Sequence, residues 1–243
     1  MILTLARMEW WRLMRSPLAW TLLAFSCGLL SWQLLETLET YSGLSSTNRG
    51  LGLTAHLSLQ LFGFAAVLIL FITPILTTRQ FSEMFRNGSY TLLSSSPLSL
   101  TAILLGKFLG VMLFQGLLVL MPLALSLSLV SGTSLDFGLL AAASLGLTLL
   151  VAGFTAIGIY FSTLSSTPAI SLAGSYGLLL LISILGQDSL GRAGGILQWL
   201  AWPPHYLSLQ LGLVRSGDLA YYLLLCVLFL GLSLHRLETR RSG

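Results

Sequence analysis

The sequence predicts an all-α integral membrane protein: an N-terminal interfacial amphipathic helix, six transmembrane helices, and an outer-leaflet re-entrant segment before the last span. Of 243 residues, 55% are hydrophobic and only 8% are charged, whereas soluble domains carry roughly 25% charged residues. Apolar runs repeatedly reach the ~20 residues that a helix needs to cross a hydrocarbon layer of ~30 Å. Together these observations exclude a soluble globular domain.

Residues 1–16 have the pattern of an amphipathic helix, which we treat as a unit of its own. One side carries Ile2, Leu3, Ala6, Trp10, Leu13 and Met14, and the other carries Thr4, Glu9, Arg12, Arg15 and Ser16. Such a helix lies in the plane of the lipid headgroups with its arginines toward anionic lipid. The alternative is a plain cytoplasmic extension of the first span. A cleaved signal peptide is disfavoured, since no small-x-small site follows.

Six apolar runs follow in the transmembrane unit, residues 17–243. They extend from Pro17 to Leu35, Leu57 to Leu76, Leu100 to Val130, Phe137 to Leu164, Pro168 to Leu185, and Leu219 to His235. We expect Pro122 to kink the third, because proline removes a backbone hydrogen bond. In the exterior loop 186–218, the stretch Ile196–Trp202 is too apolar for solvent and too short to span, which indicates a re-entrant or interfacial segment.

The basic residues predict the orientation of the chain. With the N-terminus inside, nine fall on the cytoplasmic side: Arg7, Arg12, Arg15, Arg79, Arg86, Lys107, Arg236, Arg240 and Arg241. Only Arg49, Arg192 and Arg215 fall outside. This is a positive-inside distribution, so we expect both termini in the cytoplasm.

The sequence offers no catalytic motif. His56, His205 and His235 are isolated, and a metal contact at His56 or His205 is the less favoured interpretation. Gly106-Lys107 is not part of a phosphate-binding loop, because Thr101 stands at the position of its first glycine. Lys107 is expected to extend toward the membrane surface, which leaves no charge deep in a span and argues against an ion-coupled carrier.

Small residues and thiols suggest packing rather than chemistry. Gly106 and Gly110 have the four-residue spacing that lets helices approach closely. The row Ala169, Ala173 and Gly177 has the same spacing and predicts a packing face on the fifth span. Cys27 and Cys226 lie in apolar runs without a neighbouring ligand and are expected to be core thiols.

The most informative stretch is the cytoplasmic loop 77–99. Arg79 and Glu83 are i,i+4 neighbours in a short helical pattern that Asn87-Gly88 ends. Leu92-Leu93, Ser96-Pro97 and Leu105-Gly106-Lys107 follow. In this order and spacing the chain resembles the ABC-2 family of transporter permeases. Near the C-terminus, Pro204-His205-Tyr206, Gly217-Asp218 and Arg236-Leu237-Glu238 resemble the gliding-motility/NosY-like subgroup.

The resemblance implies a half-transporter that pairs with a second copy or a sister permease and docks two cytoplasmic ATPase subunits, which would hold the ATP and Mg. It implies a bacterial inner membrane location. A coupling helix would contact the ATPase through Arg79, Gln80, Phe81, Glu83, Met84, Phe85, Arg86, Asn87 and Gly88. A second contact would be the turn formed by Ser165, Ser166 and Thr167. The family's acidic residue before the Leu-Leu pair is replaced here by Tyr90 and Thr91.

A chain of this kind could have one of three functions. The first is the permease subunit of an ATP-driven exporter, with a lipid-like or amphipathic cargo favoured by an apolar lining dotted with Ser and Thr. Copper or sulfur supply to a periplasmic enzyme, which the subgroup suggests, is a further alternative, although the Met and Cys residues form no ladder of ligands. The second is a relay subunit that moves no cargo and transmits ATPase motion to an extracytoplasmic partner through the loop 186–218. The third, an intramembrane enzyme, needs polar residues that converge in the bilayer; the sequence indicates none, so this function is the least favoured.

Overall fold

The computed structural model describes residues 2–43, 52–88, 99–185 and 199–242 of the chain. Within these ranges the secondary structure is helical, with turns between helices and no strand. The helices are α1 (Ile2–Met14), α2 (Pro17–Gly43), α3 (Leu53–Thr77), α4 (Arg79–Arg86), α5 (Leu100–Leu127), α6 (Phe137–Leu164), α7 (Pro168–Ile184), α8 (Trp202–Gln210) and α9 (Ser216–Ser242).

Five helical segments are long and apolar enough to cross a membrane. They are Pro17–Gly43, Leu53–Arg86, Leu100–Leu127, Phe137–Leu164 and Ser216–Arg240. α7 is apolar but has only 17 residues, about 25 Å at 1.5 Å per residue. The all-helical prediction is confirmed, and the five long helices are compatible with a multi-pass membrane protein. The count of six spans is not confirmed.

Several helices extend beyond the predicted apolar runs. α2 continues from Leu35 to Gly43 through a polar sequence. Its hydroxyls bond within the helix, since Thr37 donates to the Gln33 carbonyl at 2.6 Å and Thr40 donates to the Glu36 carbonyl at 2.8 Å. Such bonds satisfy the side chains without interrupting the backbone ladder. Hydropathy alone therefore places this boundary too early.

The helices form one bundle, and contacts between helices define its two ends. At the first, which we call the α4 end, Arg12 of α1 and Lys107 of α5 both contact Gln80 of α4. At the second, the α8 end, Ser58 of α3 exchanges two hydrogen bonds with Gln210 of α8. Leu237 of α9 packs in the same cluster as Phe81 of α4, so α1 and the last turns of α9 both lie at the α4 end.

α6 lies at the centre of the bundle and packs on its neighbours at glycines. A Cβ at Gly146 would lie 3.0 Å from the Leu209 side chain of α8, and one at Gly153 would lie 3.1 Å from Leu225 of α9. At Gly158 a Cβ would overlap Thr77 of α3. Close backbone approach at small residues is how helices associate in lipid, where burial from water does not drive them together.

α1 packs along the first turns of α5 at Gly106 and Gly110. A Cβ at Gly106 would lie 2.6 Å from the Leu5 Cβ, and one at Gly110 would lie 2.6 Å from the Glu9 Cβ. The four-residue spacing of these two glycines therefore does correspond to a close helix contact. The predicted polar side of α1 needs a correction, because Glu9 is 9% exposed and faces α5.

Two packing predictions were wrong within this chain. Ala169, Ala173 and Gly177 are exposed, and α7 instead buries Ser171, Ser175, Leu179 and Ile182. Tyr176 donates to the Phe71 carbonyl of α3, so hydroxyl-bearing residues decide which face of α7 turns inward. Cys27, predicted as a core thiol, is exposed on α2, and Cys226 is partly buried.

Candidate partner-docking surface

The predicted coupling helix forms as an eight-residue helix, α4, which follows α3 after Thr78. The Nε of Arg79 lies 3.6 Å from Glu83 Oε1, the predicted i,i+4 pair. Asn87 donates its amide to the Glu83 carbonyl at 2.9 Å, and Gly88 takes a φ of +68°. A left-handed glycine after the last helical residue is a common C-terminal cap. The helix and its end at Asn87-Gly88 are therefore confirmed.

The N-terminus of α4 is capped by a residue from another helix. Thr78, at the N-cap position, makes no side-chain capping bond. Ser162 of α6 takes this role: its Oγ accepts from the Phe81 amide at 2.8 Å and from the Ser82 amide at 3.2 Å, and donates to the Thr78 carbonyl at 3.0 Å. The first amides of a helix lack partners within the helix, so Ser162 fixes α4 to α6.

Replacing Ser162 by alanine should loosen this attachment. The Ser162→Ala change removes one acceptor for two buried amides, and loss of an N-cap costs roughly 0.5–2 kcal/mol. We expect faster hydrogen exchange at Phe81 and Ser82 with little change in the amides of α9. Ser128→Ala, which removes an exposed hydroxyl at the C-terminus of α5, is the control. Equal exchange in Ser162→Ala and the parent protein would contradict the capping role.

Apolar contacts hold the other side of α4. Phe81 is fully buried in a cluster with residues of α5, α6 and α9, namely Ile103, Leu104, Ile159 and Leu237. The Arg240 guanidinium carbon lies 4.2 Å from the centre of the Phe85 ring, and Arg240 also donates to the Leu164 carbonyl at the end of α6. α4 is thus seated on three neighbouring helices rather than projecting freely.

The two predicted contact segments are adjacent. Ser82 Oγ of α4 lies 2.9 Å from Ser171 Oγ, one turn into α7. The turn that precedes α7 holds Ser166 and Thr167, both exposed, and Ser165, which is partly buried. The sequence predicts both segments but carries no sign that they meet.

The predicted contact residues divide into an outer and an inner set. Gln80 and Phe81 are 0% exposed, so these two hold α4 in place and offer no surface to a partner. The remaining residues are exposed or partly buried: Arg79, Glu83, Met84, Phe85, Arg86, Asn87 and Gly88. These seven, with Ser165, Ser166 and Thr167, form what we call the docking surface. Tyr90 and Thr91 lie outside the described residues.

A buried polar network joins α1, α4 and α5 beneath the docking surface. Lys107 is 8% exposed, and its Nζ lies 3.6 Å from Glu9 Oε2 and 3.3 Å from Gln80 Oε1. Arg12 contacts the same two residues, at 2.7 Å from Glu9 Oε1 and 3.3 Å from Gln80 Oε1. The prediction that Lys107 extends to the membrane surface is wrong, because Glu9 and Gln80 give its ammonium group partners inside the protein.

At the α8 end, His205 is not isolated as predicted. Its Nδ1 lies 2.7 Å from Asp218 Oδ1, its Nε2 lies 2.9 Å from the Trp199 carbonyl, and its ring stacks on Tyr221 at 4.2 Å. Both ring nitrogens therefore have partners already. No three His, Cys, Asp or Glu side chains cluster among the residues that the structure describes. Ile196 to Gln198, the start of the predicted re-entrant stretch, lies outside those residues.

α8 itself is anchored by hydrogen bonds to backbone carbonyls. Tyr206 donates to the Phe62 carbonyl at 3.0 Å, and Gln210 donates to the Ser58 carbonyl at 2.9 Å. Trp202 Nε1 donates to Ser183 of α7 at 2.7 Å. These bonds connect α8 to α3 and α7.

Polar side chains also converge inside the bundle, contrary to the sequence-based expectation. Gln115 of α5 is fully buried. Its Oε1 accepts from Thr73 of α3 at 3.4 Å and from Thr155 of α6 at 3.2 Å. Two hydroxyls and an amide supply neither a nucleophile with a base nor a charge. We interpret the cluster as a polar contact among three helices.

The sequence matches no protein-family model and no curated protein at a significant level. The resemblance to ABC-2 permeases thus depends on the sequence itself: the loop 77–99, Leu105-Gly106-Lys107, the C-terminal patches, and the predicted spans and chain length. The geometry of α4 and of the turn before α7 is independent of that resemblance.

Proposed function

We propose that this chain is the membrane subunit of an ATP-binding-cassette exporter of the ABC-2 type, and that separate cytoplasmic subunits bind and hydrolyse ATP. The observation that carries the proposal is the seating of α4. Its outer residues form the docking surface, while its inner residues are bonded to α6 and packed on α5 and α9. A push on such a helix moves its neighbours as a rigid body.

The distribution of charge supports a cytoplasmic location for this surface. Arg7, Arg12, Arg79 and Arg86 lie on helices of the α4 end, and Arg15 lies in the turn that follows α1. Among the described basic residues, only Arg215 lies at the α8 end, where it directly precedes α9. We therefore propose a bacterial inner-membrane protein with both termini in the cytoplasm, with α7 as a sixth crossing and Trp199–Gln210 as a segment that returns within the outer leaflet.

In the proposed cycle, ATP-driven closure of two ATPase subunits pushes α4 and the turn before α7. The chain pairs with a second copy or a sister permease, and cargo moves outward between the halves. An amphipathic or lipid-like cargo suits a chain with so few charges. The chain supplies no catalytic group to ATP hydrolysis in this proposal.

Co-purification with a candidate ATPase in mild detergent tests the docking surface. The double change Glu83→Ala/Arg86→Ala should weaken the complex at least about tenfold, since charged contacts at an interface commonly contribute a kcal/mol or more each. The control is Glu36→Ala/Arg215→Ala, which removes the same charges at exposed positions of α2 and the α8 end. If no ATPase binds the parent protein, the exporter proposal loses its mechanism. Equal weakening by both double variants would place the contact elsewhere.

A relay function is the second candidate, and the continuity of α3 favours it. α3 is followed directly by α4 at one end and is hydrogen bonded to α8 at the other, through Ser58 and Phe62. A displacement of α4 along the axis of α3 would be transmitted to the α8 end, and this transmission needs no path for a cargo. In the reconstituted complex, an exporter responds to cargo with increased ATPase activity. A relay responds to an extracytoplasmic protein instead.

A further inference from the structure

The outer face of α1 is cationic. Arg7, Arg12 and Arg15 are exposed, whereas Glu9, the only acidic residue of this helix, is buried against α5. Trp11 is half-exposed among the arginines, with the Arg15 guanidinium carbon 5.9 Å from its ring centre. Guanidinium groups present fixed N–H donors that match phosphate oxygens. The exposed face of α1 therefore favours an anion.

An apolar groove begins where this helix ends. It has a volume of about 550 Å³ and lies between α2 and α5. Its lining includes Met14, Trp20, Ala24 and Cys27 from one side and Leu120 and Ala124 from the other. Ala24 and Ala124 are exposed small residues, so they leave room that larger side chains would fill.

The cationic face and the groove are continuous. Met14 is the last residue of α1 and also lines the groove, and Arg15 follows it directly. Trp20 Nε1 donates to the Met14 carbonyl at 2.7 Å, which fixes the groove against the end of α1. From Trp20 to Cys27 the groove follows α2 for about 10 Å at 1.5 Å per residue, leading away from the arginines.

We propose that these features form a discrete site for an anionic phospholipid. The phosphodiester lies against Arg7 and Arg15, and one acyl chain lies in the groove over Ala24 and Ala124. Charge complementarity selects the occupant. Arg12 is paired with Glu9, but Arg7 of α1 and Arg15 just after it are exposed with no exposed acid on α1. These two cations favour an anionic headgroup over a zwitterionic one. The proposal depends on the membrane character of the chain and not on an ATPase partner, so it stands or falls separately from the proposed function.

The headgroup and the acyl chain contribute differently. In lipid the chain is already in an apolar solvent, so the groove adds close packing rather than removal from water. Attraction between basic residues and anionic lipid is therefore the main source of selectivity. For two arginines it corresponds to roughly a tenfold to thirtyfold preference over a neutral headgroup.

Native mass spectrometry of the full-length, delipidated protein tests the site. We expect the first phosphatidylglycerol to bind at least about tenfold more tightly than phosphatidylcholine. Arg7→Gln/Arg15→Gln should abolish this preference, and Ala24→Phe should weaken the first binding event for both lipids. The controls are Arg215→Gln, an exposed arginine at the α8 end, and Ala173→Phe, an exposed alanine of α7.

Two results would overturn the proposal. Equal affinity of the parent protein for the two lipids means that only bulk lipid covers this surface. Displacement of phosphatidylglycerol by inorganic phosphate at millimolar concentration assigns the arginines to a soluble anion instead. Reduced binding in the control variants to the same extent would show that the variants act through general destabilisation, and would also count against a discrete site.

Discussion

Replacing Glu9 by glutamine should destabilise the protein more than any other single loss of charge at the α4 end. Glu9→Gln removes the only carboxylate that faces the buried Lys107 ammonium in this network and leaves it beside Arg12 with neutral amide oxygens as its acceptors. Removing one partner of a buried ion pair costs roughly 3–5 kcal/mol, because the remaining charge is desolvated without compensation. For a chain of this size that lowers the midpoint of thermal unfolding by about 10 °C, measured as loss of the monodisperse peak after heating.

Two variants separate this effect from an ordinary loss of a salt bridge. Glu83→Gln breaks a pair of the same 3.6 Å separation, but its side chains are 53% and 37% exposed, so the expected cost is below about 1 kcal/mol. The double change Glu9→Gln/Lys107→Met should recover most of the lost stability, because it removes the unpaired charge. If the double variant is as unstable as Glu9→Gln alone, the buried charge is not the cause.

The elements that could be predicted from the sequence are those that depend on neighbouring residues. α4 is one of them: the Arg79–Glu83 pair and the Asn87-Gly88 end lie within ten positions of each other. The glycine spacing in α5 is another, because residues four apart share a helix face in any fold. The composition and the length of the apolar runs are also local properties of the sequence, and they predict an all-helical chain.

The remaining features depend on partners distant in the chain. On a helical wheel Glu9 falls on the polar side with Arg12. Its burial depends on the ion pair with Lys107, which is nearly a hundred residues away in the chain. Ser162 carries no local sign that it caps α4. The small residues of α7 have a packing pattern, yet the hydroxyls of Ser171 and Tyr176 decide which face is inside. A periodic pattern identifies a helix face but does not specify its neighbour.

The contact between α3 and α6 at Gly158 should be the least tolerant of added volume. A Cβ there would overlap Thr77 Oγ1 and lie 2.8 Å from Thr77 Cβ. Thr77 is fully buried and its hydroxyl donates to the Thr73 carbonyl at 2.9 Å, so it has little room to move. Overpacking of this kind costs roughly 1–3 kcal/mol and occasionally more. We expect Gly158→Ala to lower the unfolding midpoint and Gly158→Leu to prevent recovery of a folded species.

Glycine-to-alanine changes at two helical positions should have opposite effects on stability. Alanine in place of glycine inside a helix otherwise stabilises it by about 1 kcal/mol, and at Gly28 of α2, where an added Cβ meets nothing within 4 Å, that gain should appear. Gly158→Ala and Gly28→Ala should therefore shift the midpoint in opposite directions. Thr77→Ala should rescue Gly158→Ala only in part, since it removes the overlap with Oγ1 but keeps the Cβ. A stabilised Gly158→Ala variant would mean that α3 and α6 can separate at this crossing without cost, and α4 would then lack the rigid support that its proposed role needs.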